Sequence, residues 1–424
     1  MVHYSDVHVD SRIQRQAFAL AARGDEVDLV CLSPPGELPE SNGRIHIHQV
    51  SCRKASGGAA SYVKGYGEFL AKAFVRVARL DRRRRFDLVE AHNMPDAVAF
   101  AALIPKLRGV PVILNVHDTF PELFVTKFEG RRGAAMVGRV LRLEERGSAM
   151  LADALVTVTA EACDLLSARG AGARDTTVVM NSPDESVFGP AREAPVLPAS
   201  GPLRLIYHGG VAPRFGVEVL VRAVGDAVSR GAQVQLRICG TGDATDRARI
   251  AALASRTAPD RVDVAPEPIP FNRIPAELAA SHAGVVPTLR DPFTELLLPV
   301  KLMEYVHMGL PVIASRLPVM QRHFSDHQVR YAEPGSVSGL ADAIIDLSFE
   351  RDDAQRRALR ASGALTPIDW TRQRRAYLGL VDRLTCRARA QVETPFSRSS
   401  SEDPIRRTGL EHGNRSNHQD ARPA

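Results

Sequence analysis

The segment Pro299-Val-Lys-Leu-Met-Glu-Tyr-Val-His-Met-Gly-Leu-Pro-Val-Ile-Ala-Ser315 decides the fold of this chain. It predicts a short helix that ends at Gly309 and leads into an apolar strand, as in a parallel sheet. Lys301 and Glu304 lie three residues apart and therefore share one face of the helix. A lysine suits phosphate as a point charge, and a carboxylate accepts hydrogen bonds from both hydroxyls of a ribose. The pair is either a ligand clamp or a surface ion pair, and these residues alone favour neither.

Apolar strand patterns alternate with helical patterns along the whole chain. The helical segments 14–23 and Val217–Ser229 have apolar spacing near 3.6 residues and a glycine after the end. Continuous apolar strands separated by helices indicate parallel sheets with βαβ crossovers. The sequence therefore predicts an α/β fold of two doubly wound, Rossmann-like domains facing a central cleft. The predicted strands are 27–32, 87–90, 110–116, 154–159, 177–180, 203–207, 233–239, 261–264, 284–287 and 312–314.

Composition shifts divide the chain. A proline-rich stretch without periodicity is the natural linker. The C-terminal tail is too poor in aliphatic residues to offset its ordering entropy, which predicts disorder. Met1-Val-His-Tyr4 is a short stub where a first strand is expected, as a truncated start would leave it. The predicted parts are an N-terminal domain (1–190), a linker (191–202), a C-terminal domain (203–365), a final helix (366–386) and a disordered tail (387–424).

The composition is that of a soluble globular protein. The chain has 424 residues, which fits two domains, with 44% hydrophobic and 25% charged residues. No apolar run is long enough for a membrane span or a signal core. The five cysteines lack paired metal-ligand spacing, and no Asp-x-Asp motif occurs, so we expect no metal and no other cofactor. These features favour a cytoplasmic protein.

The net charge of +6 is unevenly distributed. Lys72, Arg76 and Arg79 recur on one face of a predicted helix and lead to Arg82, while the opposite face is apolar. A basic amphipathic helix can rest on an anionic membrane, so peripheral contact with the inner face of the membrane is one hypothesis. The alternative is a helix packed on a sheet with a solvated basic face. Nucleic acid is not expected as a partner, because only 5% of the residues are aromatic.

Four loops follow predicted strands, where ligands bind in open parallel sheets. The first is Asn115-Val-His-Asp-Thr-Phe-Pro-Glu122, in which His117 and Asp118 are placed to bind a sugar or a phosphate, although a lone histidine is often structural. The second is Tyr207-His-Gly-Gly-Val-Ala-Pro-Arg-Phe-Gly216, in which two glycines permit close ligand approach and an arginine precedes a helix N-terminus.

The remaining two loops lie in the second half. Cys239-Gly-Thr-Gly-Asp-Ala-Thr245 lacks the third glycine of a dinucleotide fingerprint and does not follow the first strand of its domain, which argues against NAD. Pro287-Thr-Leu-Arg-Asp-Pro-Phe-Thr-Glu295 leads into the segment quoted first.

The order of these motifs resembles the donor-binding half of the retaining GT-B glycosyltransferases of family four, the group 1 glycosyl transferases. The first half agrees: Asp10-Ser-Arg12 and the following Ala19-Leu-Ala-Ala-Arg-Gly-Asp-Glu-Val27 resemble the opening helix of the family, and Asn181-Ser-Pro-Asp184 resembles its domain-closing turn. The final helix resembles the family segment that crosses back to the N-terminal domain. The resemblance makes domain 1–190 the acceptor side and domain 203–365 the donor side.

The resemblance also implies roles for individual residues. Glu304 corresponds to the second glutamate of the Glu-x7-Glu motif, which holds the ribose, and His117 to the histidine near the transferred sugar. The family's arginine and lysine of the phosphate loop are replaced here by Gly210 and Phe215, so the diphosphate role falls to Arg214 and Lys301. The first motif glutamate is displaced: Leu296 occupies its position, and Asp291 and Glu295 are the acidic alternatives. Further expected contacts are, on the donor side, Gly209, Gly210 and Gly240 and, on the acceptor side, Asp118 and Glu122.

The activity implied is transfer of a sugar from a nucleotide diphosphate sugar to a saccharide or lipid-linked acceptor with retained anomeric configuration. Surface polysaccharide or glycoconjugate synthesis is the usual setting of the family. Two alternatives are a GT-B nucleotide-sugar epimerase and a non-catalytic scaffold that binds nucleotide sugars. A donor-hydrolysis assay with product analysis separates the three.

Overall fold

The structure is a computed structural model. It describes residues 1–8, 10–34, 38, 43–52, 59–127, 134–172 and 175–393. Most of the predicted tail, residues 394–424, lies outside the described residues.

The described N-terminal half forms a seven-stranded parallel sheet in the order β3-β2-β1-β4-β5-β6-β7. Because the order reverses between β1 and β4, the loops after these strands open a crevice at the carboxyl edge. The strands are β1 Val2–His3, β2 Val27–Cys31, β3 Ile45–Gln49, β4 Val89–His92, β5 Val112–Val116, β6 Ala154–Thr157 and β7 Asp175–Val178. The helices are α1 Ser11–Arg23, α2 Ala59–Arg83, α3 Leu103–Leu107, α4 Phe120–Lys127, α5 Ala134–Leu151, α6 Ala160–Ala168, α7 Glu185–Phe188 and a 3₁₀ helix Asp96–Ala102.

The described C-terminal half repeats this arrangement with a six-stranded parallel sheet in the order β10-β9-β8-β11-β12-β13. The strands are β8 Leu203–Gly210, β9 Val234–Thr241, β10 Val262–Val264, β11 Ala283–Val286, β12 Val312–Ser315 and β13 Arg330–Ala332. The helices are α8 Val217–Ser229, α9 Ala244–Thr257, α10 Ile274–Ala279, α11 Val300–His307, α12 Pro318–His323, α13 Val337–Phe349, α14 Arg351–Ser362 and α15 Trp370–Glu393, with 3₁₀ helices at Pro213–Phe215, Phe271–Arg273 and Gly363–Ile368.

Helices cover both faces of each sheet, so the strands are apolar on both sides. Alternate residues of a strand point to opposite faces. In β5, Val112 and Leu114 join the apolar cluster on one face and Ile113 joins the cluster on the other. The predicted α/β fold of two doubly wound domains is confirmed. In the described part of the chain, no helix is long and apolar enough to span a membrane.

Helix α15 packs on the N-terminal sheet, although it follows the C-terminal sheet in sequence. Its residues Leu380 and Val381 belong to the same apolar cluster as α1 and β2. The buried Tyr377 hydroxyl donates a hydrogen bond of 2.6 Å to Glu90 of β4. This helix therefore ties the end of the described chain to the first domain.

Three details differ from the sequence-based expectations. The edge strands β3 and β13 were not predicted: β3 reads Ile-His-Ile-His-Gln and alternates in burial, unlike the continuous apolar runs of inner strands. The final helix begins at Trp370 and continues through Glu393, so the prediction of disorder from residue 387 was wrong for residues 387–393. Strand β1 has only two residues but lies in the interior of its sheet, between β2 and β4.

The start of α8 depends on a glycine. Gly216 caps the helix with φ +68°, and a Cβ there would lie 1.8 Å from the carbonyl oxygen of Pro287. The turn therefore requires both the left-handed conformation and the missing side chain.

We expect Gly216→Ala to destabilise the protein clearly more than Gly231→Ala. Gly231 has φ +98°, but a Cβ added there would have no heavy atom within 4 Å, so its substitution adds only backbone strain, of about 1–2 kcal/mol. Urea denaturation of both variants measures the difference. Equal losses of stability would show that the contact with Pro287 does not constrain the loop.

Candidate active site

Strand β8 ends in a glycine pair that brings the backbone against a lysine side chain. Gly209 has φ +102°, and a Cβ there would lie 3.1 Å from Lys301 Nζ. A Cβ at Gly210 would lie 2.7 Å from the ring of Phe215. The glycines therefore let the loop fold tightly over Lys301 and Phe215. The close approach that the structure shows at this loop is between the backbone and these two side chains.

Lys301 reaches from α11 to the end of β8. Its ammonium group donates a hydrogen bond of 2.8 Å to the Tyr207 hydroxyl and lies 4.1 Å from the centroid of that ring. The Tyr207 hydroxyl in turn donates to the carbonyl of Gly210. Burial lowers the pKa of Lys301 to about 7, against the opposing effect of Glu304. The contacts of the lysine ammonium are thus with the neutral side chain of Tyr207, and its pKa of about 7 lies close to neutral pH.

Glu304, on the same face of α11, is buried. Its Oε2 lies 3.1 Å from His208 Nε2, without the alignment of a hydrogen bond. His208 is fixed in turn, because its backbone N–H donates to the Tyr305 hydroxyl at 3.1 Å. A buried carboxylate next to an imidazole is a strong acceptor site for hydroxyl groups.

Arg214 provides a second cation beside the same loop. It lies in the 3₁₀ helix before α8, with its guanidinium carbon 5.3 Å from the centroid of the Phe293 ring. Its Nη1 is buried and has no hydrogen-bond partner among the described residues. Burial lowers its pKa, and the charges of Asp291 and Asp118 oppose that shift. An incompletely paired guanidinium near a helix N-terminus favours binding of an anion.

Leu296, which occupies the first motif position, and the two acidic alternatives Asp291 and Glu295 have different surroundings. The Oδ1 atom of Asp291 accepts two backbone hydrogen bonds of 2.8 Å, from Phe293 and Thr294, and so caps its own turn. Glu295 is partly exposed and lies 3.6 Å from Arg290. The carbonyl of Leu296 accepts a hydrogen bond of 3.0 Å from Thr159 of the N-terminal half. This segment joins the two halves, and its one fixed carboxylate, Asp291, is used to shape the loop.

On the N-terminal side, His117 is buried at the end of β5 and stacked against His92. His117 Nε2 lies 3.0 Å from His92 Nδ1, and His92 Nε2 lies 3.6 Å from Glu90 Oε1. Glu90 also accepts hydrogen bonds from Tyr377 and Asn115, and these contacts oppose the rise in its pKa that burial causes. We expect His92 to carry its proton on Nε2, towards Glu90, which leaves Nδ1 to accept a hydrogen bond from a proton on His117 Nε2. His117 Nδ1 is then a free hydrogen-bond acceptor.

Electrostatic interactions link charged side chains of the two halves across the cleft. Arg12 binds Asp10 at 3.1 Å and lies 3.8 Å from Asp118. Burial raises the pKa of Asp118, and the charges of Arg12 and Arg214 oppose this effect. Burial likewise lowers the pKa of Arg15, and the charges of Asp184 and Glu304 oppose that shift. Asp118 therefore interacts with Arg214, and Arg15 with Glu304, through their charges.

Two residues that the sequence analysis named as substrate contacts, Glu122 and Gly240, pack against other parts of the protein. Glu122 is buried and forms an ion pair with Arg169, the residue that follows α6. Gly240 lies where a Cβ would meet Val211 at 2.6 Å, so it allows β9 to pack beneath the loop after β8. Neither observation places these residues in contact with Lys301 or Glu304.

Several residues of this site were not assigned by the sequence. The N-terminal side adds Arg12, Arg15, Glu90 and His92, and the C-terminal side adds Tyr207 and His208. Tyr207 and His208 stand in the strand-end loop already selected, and Arg12 stands in the motif Asp10-Ser-Arg12, but none of the three was assigned a role there. Among the described residues, no group of three or more His, Cys, Asp or Glu side chains is arranged to hold a metal ion.

Family models match both halves of the chain. Residues 9–182 match a glycosyl transferase 4-like domain, and residues 202–349 match glycosyl transferases group 1. A comparison with curated proteins gave no match.

Solved structures are similar in fold. A sucrose-phosphate synthase from Thermosynechococcus elongatus has a TM-score of 0.68 at 19% identity, covering 89% of this chain and 93% of its own. A glycosyltransferase from Rickettsia africae has a TM-score of 0.65 at 14% identity, covering 90% and 97%. The Anabaena protein HepE, in complex with UDP and glucose, has a TM-score of 0.62 at 14% identity, covering 92% and 98%. At these identities the likeness shows the shared GT-B fold.

The histidine pair predicts a defined tautomer. Burial holds the pKa of His92 and of His117 well below the usual value, so both rings stay neutral at neutral pH. Nitrogen-15 spectra of labelled histidine should show His117 protonated on Nε2 only. Glu90→Gln removes the charge that orients the pair and should populate the other tautomer. A wild-type His117 protonated on Nδ1 would contradict the arrangement.

Proposed function

The chain belongs to the glycosyl transferases group 1 family, and we propose that it moves a sugar from a nucleotide diphosphate sugar to a saccharide or lipid-linked acceptor with retention of anomeric configuration. Both family matches support its assignment as a glycosyltransferase. The observation that carries the donor assignment is the pair of cations at the end of β8. Lys301 is bound to a neutral tyrosine there, and Arg214 Nη1 has no partner among the described residues.

These cations suit a diphosphate leaving group. As the bond from the anomeric carbon to the phosphate oxygen breaks, negative charge grows on the diphosphate. A fixed ammonium and guanidinium at that position stabilise this charge more than that of the ground state. The first turn of α8 adds its free N–H groups and dipole. The HepE structure, which holds UDP and glucose, supports a nucleotide-sugar donor for this fold.

Glu304 is proposed to hold the ribose. Its buried carboxylate lies on the same face of α11 as Lys301, so one nucleotide can contact both side chains. His208 Nε2 lies 3.1 Å from this carboxylate, so the imidazole borders the proposed ribose site.

The proposed step retains the anomeric configuration because bond making and bond breaking occur on one face of the sugar. The acceptor oxygen attacks the anomeric carbon on the face from which the phosphate leaves, and its proton passes to the leaving phosphate oxygen. The new bond from carbon to the acceptor oxygen replaces the broken bond to phosphate. His117 Nδ1, as a hydrogen-bond acceptor, positions a sugar hydroxyl, and the Arg12–Asp118 pair lies on the acceptor side.

The setting is proposed to be surface polysaccharide or glycoconjugate synthesis at the cytoplasmic face of a membrane, without a metal cofactor. Lys72, Arg76, Arg79 and Arg82 are exposed along α2 and supply the positive charge for a peripheral anionic contact. Analysis of the products of donor hydrolysis tests the reaction class. Release of the donor sugar as its retained anomer supports a transferase, whereas an isomeric sugar indicates an epimerase.

Lys301→Ala and Arg214→Ala should each lower turnover about a hundredfold. The reason is that one lost contact to a developing charge costs about 3 kcal/mol. Steady-state release of nucleoside diphosphate measures the effect. Arg290→Ala, in the neighbouring loop and largely exposed, is the matched control and should keep wild-type turnover. Wild-type activity in both site variants would refute the diphosphate assignment.

Binding of a nucleoside diphosphate should take up protons at about pH 8. Free Lys301, with a pKa of about 7, is then mostly neutral, and the bound diphosphate favours its charged form. Calorimetry in buffers of different ionisation enthalpy measures the uptake. Lys301→Arg, which is always charged, should bind without uptake. Equal uptake in wild type and Lys301→Arg would assign the proton to another group.

A further inference from the structure

Helix α5 exposes an apolar stripe that the proposed reaction does not use. Met136, Val140, Leu143 and Met150 are 65%, 56%, 71% and 75% exposed. Their spacing of four, three and seven residues places them along one side of the helix, over about 21 Å. Single exposed apolar residues are common, but several along one side of a helix are typical of a surface that contacts a protein or a membrane.

The charges beside this stripe are all positive. Arg139, Arg142 and Arg146 are exposed on the same outward side of α5. The two acidic residues of the helix face inward: burial raises the pKa of Glu144 to about 9 and that of Glu145 to about 7. Apart from arginine, the exposed side chains described on α5 are apolar. The outward face therefore combines apolar side chains with an unopposed positive charge.

This combination matches the interface of an anionic bilayer. Apolar side chains enter the boundary between headgroups and acyl chains, and arginines pair with lipid phosphates. A soluble protein partner would also cover apolar surface, but it would have to present acidic groups opposite Arg139, Arg142 and Arg146, whereas an anionic bilayer offers negative charge at every point of its surface.

Helix α2 lies on the same side of the N-terminal sheet as α5 and can contribute to binding at the same membrane surface. The 3₁₀ helix Asp96–Ala102 packs against both α2 and α5, so both helices cover the same face of the N-terminal sheet. Arg76 and Arg79 of α2 are exposed, but α2 exposes few large apolar side chains, Val63 and Val75. Helix α2 thus adds charge, and α5 adds the insertion surface.

We propose that the outward face of α5, with Leu143 at its centre and Arg139, Arg142 and Arg146 beside it, inserts into the headgroup region of an anionic membrane. This surface belongs to the N-terminal half, the side to which we assign the acceptor. The proposal does not depend on the identity of the donor or the acceptor.

Co-sedimentation of the full chain with vesicles tests the proposal. We expect binding to vesicles of phosphatidylcholine with phosphatidylglycerol, and little binding to phosphatidylcholine alone. Leu143→Glu should weaken binding to the anionic vesicles by at least about tenfold, since it replaces an inserted apolar side chain by a charge. Arg139→Glu combined with Arg142→Glu should weaken it by about tenfold or more, and added salt should reduce this difference.

Matched controls lie on α14 of the C-terminal half. Leu359 is 55% exposed, and Arg356 and Arg360 are exposed, so Leu359→Glu and the combination of Arg356→Glu with Arg360→Glu make the same chemical changes elsewhere. Both should bind vesicles like the wild type. Because all these positions are at the surface, circular dichroism should show folded protein in every case.

Three outcomes would overturn the proposal. The first is that the wild type does not bind anionic vesicles. The second is that Leu143→Glu binds like Leu359→Glu while Arg76→Glu with Arg79→Glu abolishes binding, which assigns the contact to α2 alone. The third is a concentration-dependent oligomer of the wild type that Leu143→Glu dissociates, which assigns the stripe to a protein contact.

Discussion

The close packing of Lys301 against the end of β8 is the constraint on which the rest of the site depends. An ammonium group at this depth loses much of its hydration, which lowers its pKa to about 7. It is tolerated because Tyr207 accepts its hydrogen bond and because Gly209 leaves room beside it. A side chain at residue 209 would strain the backbone, which has φ +102°, and would place a Cβ 3.1 Å from Lys301 Nζ, so the ammonium group would have to shift. The glycine pair thus serves to place a cation, not only to shape a loop.

The facing of the two sheets determines the surroundings of the second cation, Arg214, and of the acceptor-side residue Asp118. Arg214 precedes α8, and its electrostatic partners are Asp291 in its own half and Asp118 in the other. The hydrogen bond from Thr159 to Leu296 joins the halves beside this group. Helix α15 returns to the first sheet and donates to Glu90, which also orients the histidine pair. One continuous set of polar contacts therefore runs from the last helix to His117.

Much of the fold and part of the site could be predicted from sequence because the signals are local. Lys301 and Glu304 share a helix face by spacing alone, and the inner strands are continuous apolar runs. The edge strand β3 escaped detection because its alternating residues do not resemble those runs. His92 escaped because its partner His117 is distant in sequence and is brought near only by the sheet order. Arg15 escaped because it donates its hydrogen bonds to Ser182, which is also distant in sequence. The displaced acidic position likewise needed the structure, which shows Asp291 capping its own turn.

The central claim is that Glu304 and the adjacent cations hold one nucleotide. The most direct test compares binding of a nucleoside diphosphate with that of its 2′,3′-dideoxy analogue, in the wild type and in Glu304→Ala. UDP, GDP and ADP are screened first by thermal shift, and the tightest binder is used in calorimetry. The wild type should bind the dideoxy analogue at least about tenfold more weakly, because hydrogen bonds to a charged group are lost, and Glu304→Ala should bind both nucleotides equally. Full discrimination between the two nucleotides by Glu304→Ala would contradict the account.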